Sequence, residues 1–447
     1  MDERPFLSIG LDFRTGEYLC PPLSAEQVRS ALGAHLKPRP SKPHGVDLNN
    51  LATCGWGVVF AEDDPSAAAA REALAPLLAL RRQQAEAGGR SFYRELAGDQ
   101  GVRAGDSGSS WLARHGAMPG ILRPADVPAY LLLVGSPEHI PLDFQSELSG
   151  ERSVGRVWLD DLDELAAWAA AVAAAEEEAA GPGEGRRPAW VFAPRNAGDR
   201  ATELTSELLV PAVRKALTAR GQGREVHVLL GPEATRERLV RLLQASPALL
   251  FAACHGCGPD PFEPDLLGAL IGQDWPGPGI GGLRRSHVLA GPDVPPEADL
   301  SGLISVLFSC YGAGLPAVDP FRPGAPLHPT GPRLSPLAQG LLARGTQAVV
   351  AHLDRAFLVS FFTPGGQPQP ALLAELVGDL AAGQRVGEAF ETMSERVAAL
   401  VRSVQDQARR HELGQPVDEA LEAHCLLAEA DARHFQIVGD PAARVVA

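Results

Sequence analysis

Hydrophobic and polar positions in this chain come in blocks rather than in strict alternation. Mainly apolar runs of three to six residues recur at Val58-Val59-Phe60, Tyr130-Leu131-Leu132-Leu133-Val134, 154–159, Trp190-Val191-Phe192, 226–230, 249–253, 306–308, 348–351 and 435–438, three of them interrupted by one polar residue (Arg156, His227, Gln436). Each ends within two residues of a glycine, a proline or a polar residue. Short continuous runs of this kind are strands with both faces covered. A further strand is expected at 357–362. Between the runs, helical spacing predicts helices at 66–87 with Ser66 as N-cap, and at 161–180, 202–221, 235–245, 335–344, 371–382 and 386–411. Pro336 sits in the first turn of its helix, where a missing N–H costs nothing. A helix at 24–36 carries a capping box, Ser24 with Gln27. Strand and helix alternate along the chain. The expected fold class is therefore α/β, with a mainly parallel sheet flanked by helices on both faces.

The segment 176–188 turns acidic, then glycine-rich, and ends Arg186-Arg187-Pro188. It reads as a linker. Two α/β subdomains follow, 1–186 at the N-terminus and 187–447 after it. Long loops are expected at 257–300 and 316–332.

Composition narrows the function classes. The formal net charge is −15, which argues against nucleic acid as a partner, because non-specific binding needs a basic footprint. The 447 residues can bury a large core without disulfide staples. The six cysteines are sparse and irregular, as in a reduced cytoplasmic protein. No apolar run of 18 residues exists, and Met1-Asp2-Glu3-Arg4-Pro5 opens no hydrophobic leader, so no membrane association is expected.

Two of the apolar runs end in reactive side chains. One is Leu249-Leu250-Phe251-Ala252-Ala253 followed by Cys254-His255-Gly256; the other is Val306-Leu307-Phe308 followed by Ser309-Cys310-Tyr311-Gly312. The carboxyl end of a parallel strand opens on the rim of the sheet. Neighbouring strands would present the His255 imidazole and the Cys310 thiol together. Amide hydrolysis by a thiol needs a nucleophile, a proton donor and oxyanion donors. Cys310, His255 and the backbone N–H groups of Gly256 and Cys310 fill those roles. Taken singly, a buried cysteine is packing and a His-Gly is a turn; the joint pattern is what points to catalysis. Cys254 and Cys257 flank His255, but a structural zinc site needs four ligands and no second Cys-x-x-Cys exists. No metal and no organic cofactor is expected. His139, in Pro137-Glu138-His139-Ile140-Pro141, shapes a turn.

The segment 130–141, Val154-Gly155-Arg156-Val157, Ala253-Cys254-His255-Gly256, Ser309-Cys310-Tyr311-Gly312 and Gly345-Thr346-Gln347-Ala348-Val349-Val350-Ala351-His352 together resemble the gingipain family of cysteine peptidases and the bacterial CHAT-type caspase-like domains. The resemblance covers roughly residues 125–365. It implies a caspase-like fold, Cys310 as nucleophile, His255 as catalytic histidine and Gly256 as oxyanion donor. It also implies protein or peptide substrates. Phe308-Ser309 differs from the Gln-Ala of animal caspases, so aspartate specificity does not carry over. Asp199 follows the strand where gingipain-like enzymes place pocket and histidine-orienting acids. Asp354, after the 348–351 strand, is the alternative; either could hold a basic P1 side chain. By the same analogy the chain is a bacterial regulatory or defence zymogen, cut by itself or by an upstream activating peptidase. Candidate cuts are Arg186 and Arg187 in one loop, and Arg322 and Arg333 in or after the other. The rival reading is a catalytically silent module that keeps the fold for interaction.

Overall fold

Ten strands form the central sheet, and the sheet reverses direction once. The computed structural model describes residues 46–117, 121–180, 186–260, 262–278, 283–318, 331–363, 366–416 and 418–445. The strands are β1 (Trp56–Phe60), β2 (Tyr93–Leu96), β3 (Tyr130–Val134), β4 (Ser153–Val157), β5 (Ala189–Ala193), β6 (Val226–Leu230), β7 (Leu249–Ala253), β8 (Ile304–Phe308), β9 (Ala348–His352) and β10 (Phe435–Gly439). Across the sheet they run β2-β1-β3-β4-β10-β9-β8-β7-β5-β6. Every neighbouring pair is parallel except β9 with β10. The sheet is thus two parallel halves of opposite sense. The carboxyl ends of β5, β7, β8 and β9 share one edge; those of β3 and β4 lie at the other.

Burial explains why these strands read as unbroken apolar runs. In β7, Leu250 and Ala252 point into one core, while Leu249, Phe251 and Ala253 point into the other. The first core is covered by α1 (Ala75–Glu86), α3 (Leu162–Ala180), α5 (Arg236–Gln244) and α6 (Pro336–Leu342). The second lies under α4 (Val210–Arg220) and α7 (Ala371–Ala381). Trp111 and α2 (Leu142–Ser149) close the opposite face of the N-terminal strands. Helices therefore flank both faces of the sheet, as the block pattern predicts.

A buried ionic cluster joins the chain's two halves. Arg81 of α1 has no exposed surface and meets Asp440, just past β10, at 2.6 Å. Asp440 also accepts the Trp56 indole N–H at 3.2 Å. Glu176 of α3 takes Arg81 at 3.2 Å, Arg385 at 3.0 Å and Arg444 at 3.2 Å. Burial works against the Glu176 carboxylate, but these three guanidinium groups overcome it and hold the carboxyl down at about 2. Arg156 of β4 is equally buried and meets no carboxylate among the described residues. It donates to the carbonyls of Gly135, Ile140 and Pro141 and to Gln145, so it fixes the turn that contains His139. Burial alone pushes its guanidinium down to about 9.

Several expected elements differ. Residues 357–362 form a 3-10 turn, Leu358–Phe361, not a strand, because they are gathered around side chains from other helices rather than paired in the sheet. The expected helix 66–87 breaks at Leu74, ahead of Pro76, and Ser66 caps no N–H; its hydroxyl bonds Asp64 at 2.6 Å. Glu176 is not linker but the ion-paired end of α3. The helix expected at 386–411 breaks at Phe390 into Val386–Ala389 and α8 (Glu391–Glu412). The sequence pattern predicts neither strand β2 nor α9 (Glu419–Arg433), since neither carries a clear apolar period. The helix and capping box expected at 24–36 lie outside the described residues. Strands before residue 186 occupy one end of the sheet and those of 187–352 the other, with β10 inserted between them.

Removing one partner of a buried ion pair strands the other in low dielectric. Arg81→Leu should therefore lower unfolding free energy by about 3–5 kcal/mol, read as a fall in the urea midpoint. The Glu176 carboxyl is depressed in the folded chain, from 4.5 to about 2, so its contribution is complete above the unfolded value and is lost as pH falls through that window. Glu176→Gln should be less stable than wild type at pH 7, with the gap shrinking as pH falls toward about 2.

Candidate active site

The register of β7 on β8 sets the site. Ala253 lies opposite Phe308, so the residues just past each strand emerge at the same height. The Cys254 N–H donates to the Phe308 carbonyl at 3.3 Å and extends the ladder by one step. Gly256 then runs directly against Cys310. A Cβ at Gly256 would stand 2.0 Å from the Cys310 carbonyl oxygen, so no larger residue fits without moving the backbone. Tyr311 turns the chain in the left-handed region at φ 58°, an unusual position for a bulky residue. The turn is secured by Tyr311 N–H to the Asp354 carbonyl at 2.9 Å and Ala313 N–H to the His352 carbonyl at 2.8 Å.

His255 is held from the neighbouring strand. The loop after β5 carries Asp199, whose Oδ2 lies 2.7 Å from His255 Nε2. That carboxylate is itself fixed. Its Oδ2 accepts the Thr202 hydroxyl at 2.8 Å, and its Oδ1 caps the short helix Arg200–Leu204 through the Ala201 N–H at 3.2 Å. The Trp275 ring stands edge-on to the imidazole, with centroids 5.9 Å apart at 87°. Engagement of Nε2 by the carboxylate leaves Nδ1 as the nitrogen able to exchange a proton with another group.

His255 and Cys310 line one cleft of about 70 Å³, together with Thr202, Thr205, Phe308 and Leu358. The Cys310 side chain is half-buried. Its sulfur accepts the Ala356 N–H at 3.4 Å. Burial pushes the thiol above its usual value; the Ala356 and Gly256 amides pull the other way, and the Asp354 and Asp431 carboxylates add to the rise.

The other singled-out residues sort by position. Asp354 follows β9 on the same sheet edge. It is buried, and its Oδ1 accepts the N–H of Arg355 at 2.6 Å and its guanidinium at 3.2 Å. Cys254 and Cys257 are buried, unlinked thiols pushed up by burial, Cys257 to about 11. Among the described residues no group of His, Cys, Asp and Glu is arranged to hold a metal ion. His139 stands at the opposite sheet edge, with Nδ1 3.5 Å from Asp63. Arg186 donates to Gln222 at 3.1 Å, and Arg187 to the Ser301 carbonyl. Arg333 lies in a two-residue strand against Leu315, and Arg322 lies outside the described residues. Trp275, Thr205 and the Ala356 amide could not be found by motif. They sit in irregular loops or helix turns, and a backbone N–H has no sequence signature.

No protein-family model matches the sequence, and a search of curated proteins finds no match. Among the described residues no helix is long and apolar enough to cross a membrane. Solved structures do match. A complex of the pro- and mature domains of RgpB from Porphyromonas gingivalis aligns over 88% of this chain and 80% of that one, at 13% identity and a TM-score of 0.51. The Arg-specific cysteine proteinase gingipain R (RgpB) aligns over 87% and 78%, at 12% identity and a TM-score of 0.45. A structure described as a protease aligns over 94% and 81%, at 10% identity and a TM-score of 0.45. At such identities the first likeness speaks for fold alone. The chain has a caspase-like, gingipain-like α/β fold, with its mostly parallel sheet between layers of helices.

Proposed function

We propose that this chain is a cysteine endopeptidase of the gingipain and CHAT type, acting through Cys310 and His255. The carrying observation is the 2.7 Å contact between Asp199 and His255 Nε2, made while the same imidazole opens on the cleft that holds Cys310. A scaffold gains nothing from a buried carboxylate spent on orienting a half-exposed ring. Burial favours the protonated form of Cys310, so the proton must be taken up before attack. On substrate binding, His255 takes the Cys310 proton as general base, and the thiolate attacks the scissile carbonyl. The oxyanion is met by the Gly256 N–H, which already faces the sulfur, and by the Cys310 N–H. His255 then protonates the leaving amine, and water hydrolyses the acyl-enzyme with His255 again as base. Asp199 keeps one tautomer and steadies the imidazolium that forms.

Cleavage after Arg or Lys belongs to the same proposal. Asp199 is committed to His255, which leaves Asp354 as the P1 anchor. Its present partner is the Arg355 guanidinium, and a substrate guanidinium would replace it there. Proteolytic activation at Arg186 or Arg187, or in the segment with Arg322 and Arg333, completes the reading; exposed Arg186 is the most accessible of the described positions.

A peptidyl electrophile should label wild type and fail to label Cys310→Ala, by intact-mass measurement. Labelling that survives the substitution would leave the silent-module reading in place. Asp199→Asn should lose roughly 10²–10⁴-fold in kcat with a smaller change in KM, since it removes orientation of the base rather than substrate contacts. A fluorogenic panel with Arg, Lys, Asp, Asn and Leu at P1 should favour Arg and Lys, and Asp354→Asn should erase that preference. Purified Cys310→Ala should remain uncut if maturation is self-catalysed.

A further inference from the structure

The wall of the cleft that faces the Cys310 sulfur is a loop, and it is gripped from behind. Residues 354–361 leave β9 and cross the end of the sheet. Ala356 and Leu358 line the cleft, and the Ala356 N–H donates to the sulfur at 3.4 Å. Apart from one 3-10 turn the loop has no regular structure, so its position must come from contacts outside itself. Two helices supply them. From α9, Asp431 accepts the Phe357 N–H at 2.9 Å on one oxygen and the Ser360 hydroxyl on the other. From α8, the Arg396 guanidinium donates to the Val359 carbonyl at 2.8 Å and to that of Ser360. Asp431 is only 2% exposed, and the fully buried His352 of β9 lies 3.3 Å away through Nε2. Burying a carboxylate is costly unless its lone pairs are used. Here they are used on the loop behind the sulfur, and the job of filling that space would not require a charge.

We propose that Asp431 and Arg396 form a clamp from the α8–α9 hairpin that positions the Ala356 amide, and one wall of the substrate cleft, against Cys310. The clamp rests on the reading of Cys310 as nucleophile. Neither residue touches substrate; both are positioning residues acting through the loop. The chain of contact runs from Asp431 to the Phe357 N–H, along one peptide to the Ala356 N–H, and on to the sulfur. Charge and position have opposite signs in this arrangement. The negative charge of Asp431 by itself disfavours a thiolate at Cys310, so an effect through charge would make the sulfur more reactive when the charge is removed. An effect through position would make it less reactive when the loop contacts are lost.

The test is the rate of Cys310 alkylation by iodoacetamide at fixed neutral pH, located by peptide mass spectrometry, alongside kcat and KM on the best peptide. Asp431→Ala should slow alkylation about tenfold and lower kcat more than it changes KM, the scale expected when a reacting group is displaced. Asp431→Asn, which keeps an acceptor for the Phe357 N–H, should recover to within about threefold of wild type, the scale of one neutral hydrogen bond. Alkylation of Asp431→Ala at or above the wild-type rate would overturn the clamp. Should Asp431→Ala fail to fold, Ser360→Ala and Arg396→Gln each remove part of the grip, and unchanged rates in both would overturn it as well. A wild type whose Cys310 alkylates but cleaves no peptide would count against the peptidase reading, while the ratio of alkylation rates would still decide the clamp.

Discussion

The constraint on which the site depends is the register of two parallel strands. With Ala253 opposite Phe308, the chain leaving β7 and the chain leaving β8 must pass each other within one residue, and they do so at Gly256 and Cys310. That near-contact of backbones leaves no room for a side chain at 256. It brings an amide N–H up to the sulfur and sets the imidazole and the thiol at one cleft. A slip of one residue would turn every side chain of a strand to the other face of the sheet and would carry Gly256 out of line with Cys310.

Around that register the molecule places charge in low dielectric more than once, each time to fix position. Arg81, Asp440, Glu176, Arg385 and Arg444 tie the N-terminal helices to the residues after β10. Arg156 pins a turn through carbonyls alone. Asp199 holds an imidazole, and Asp431 holds a loop. Such groups contribute less net stability than apolar replacements of the same volume could. What they provide is direction: a carboxylate oxygen satisfied at 2.7–2.9 Å admits few alternative arrangements of its partners. Because β9 and β10 are antiparallel, the N-terminal half of the sheet turns its carboxyl ends away from the site. Its helices and ionic cluster support, at a distance, the half that carries Cys310 and His255.

What could be read directly was whatever burial writes into local composition. The runs at 130–134, 249–253, 306–308 and 348–351 had to be strands covered on both faces, and Cys310 and His255 had to stand at strand ends followed by glycine. In the sequence Asp199 suits two different tasks, pocket or imidazole, and only the fold shows it bonded to the imidazole, because that choice depends on β5 lying beside β7. Asp354 reads in the sequence as an open carboxylate; in the fold its neighbour Arg355 has taken it. The stretch 357–362 has the composition of a strand, but its partners are Asp431 and Arg396, more than 30 residues further on, so no local rule could place it. Helix α9 hid for a related reason: it buries a mixed set, Cys425, Ala428, Glu429, Asp431 and Ala432, rather than an apolar stripe. By itself the sequence determined the layered α/β class and the residues able to do chemistry, since burial and reactivity belong to residue types. Tertiary structure alone decided which carboxylate serves which group and which amide meets the sulfur, since those depend on contacts between segments whose separation along the chain carries no signal.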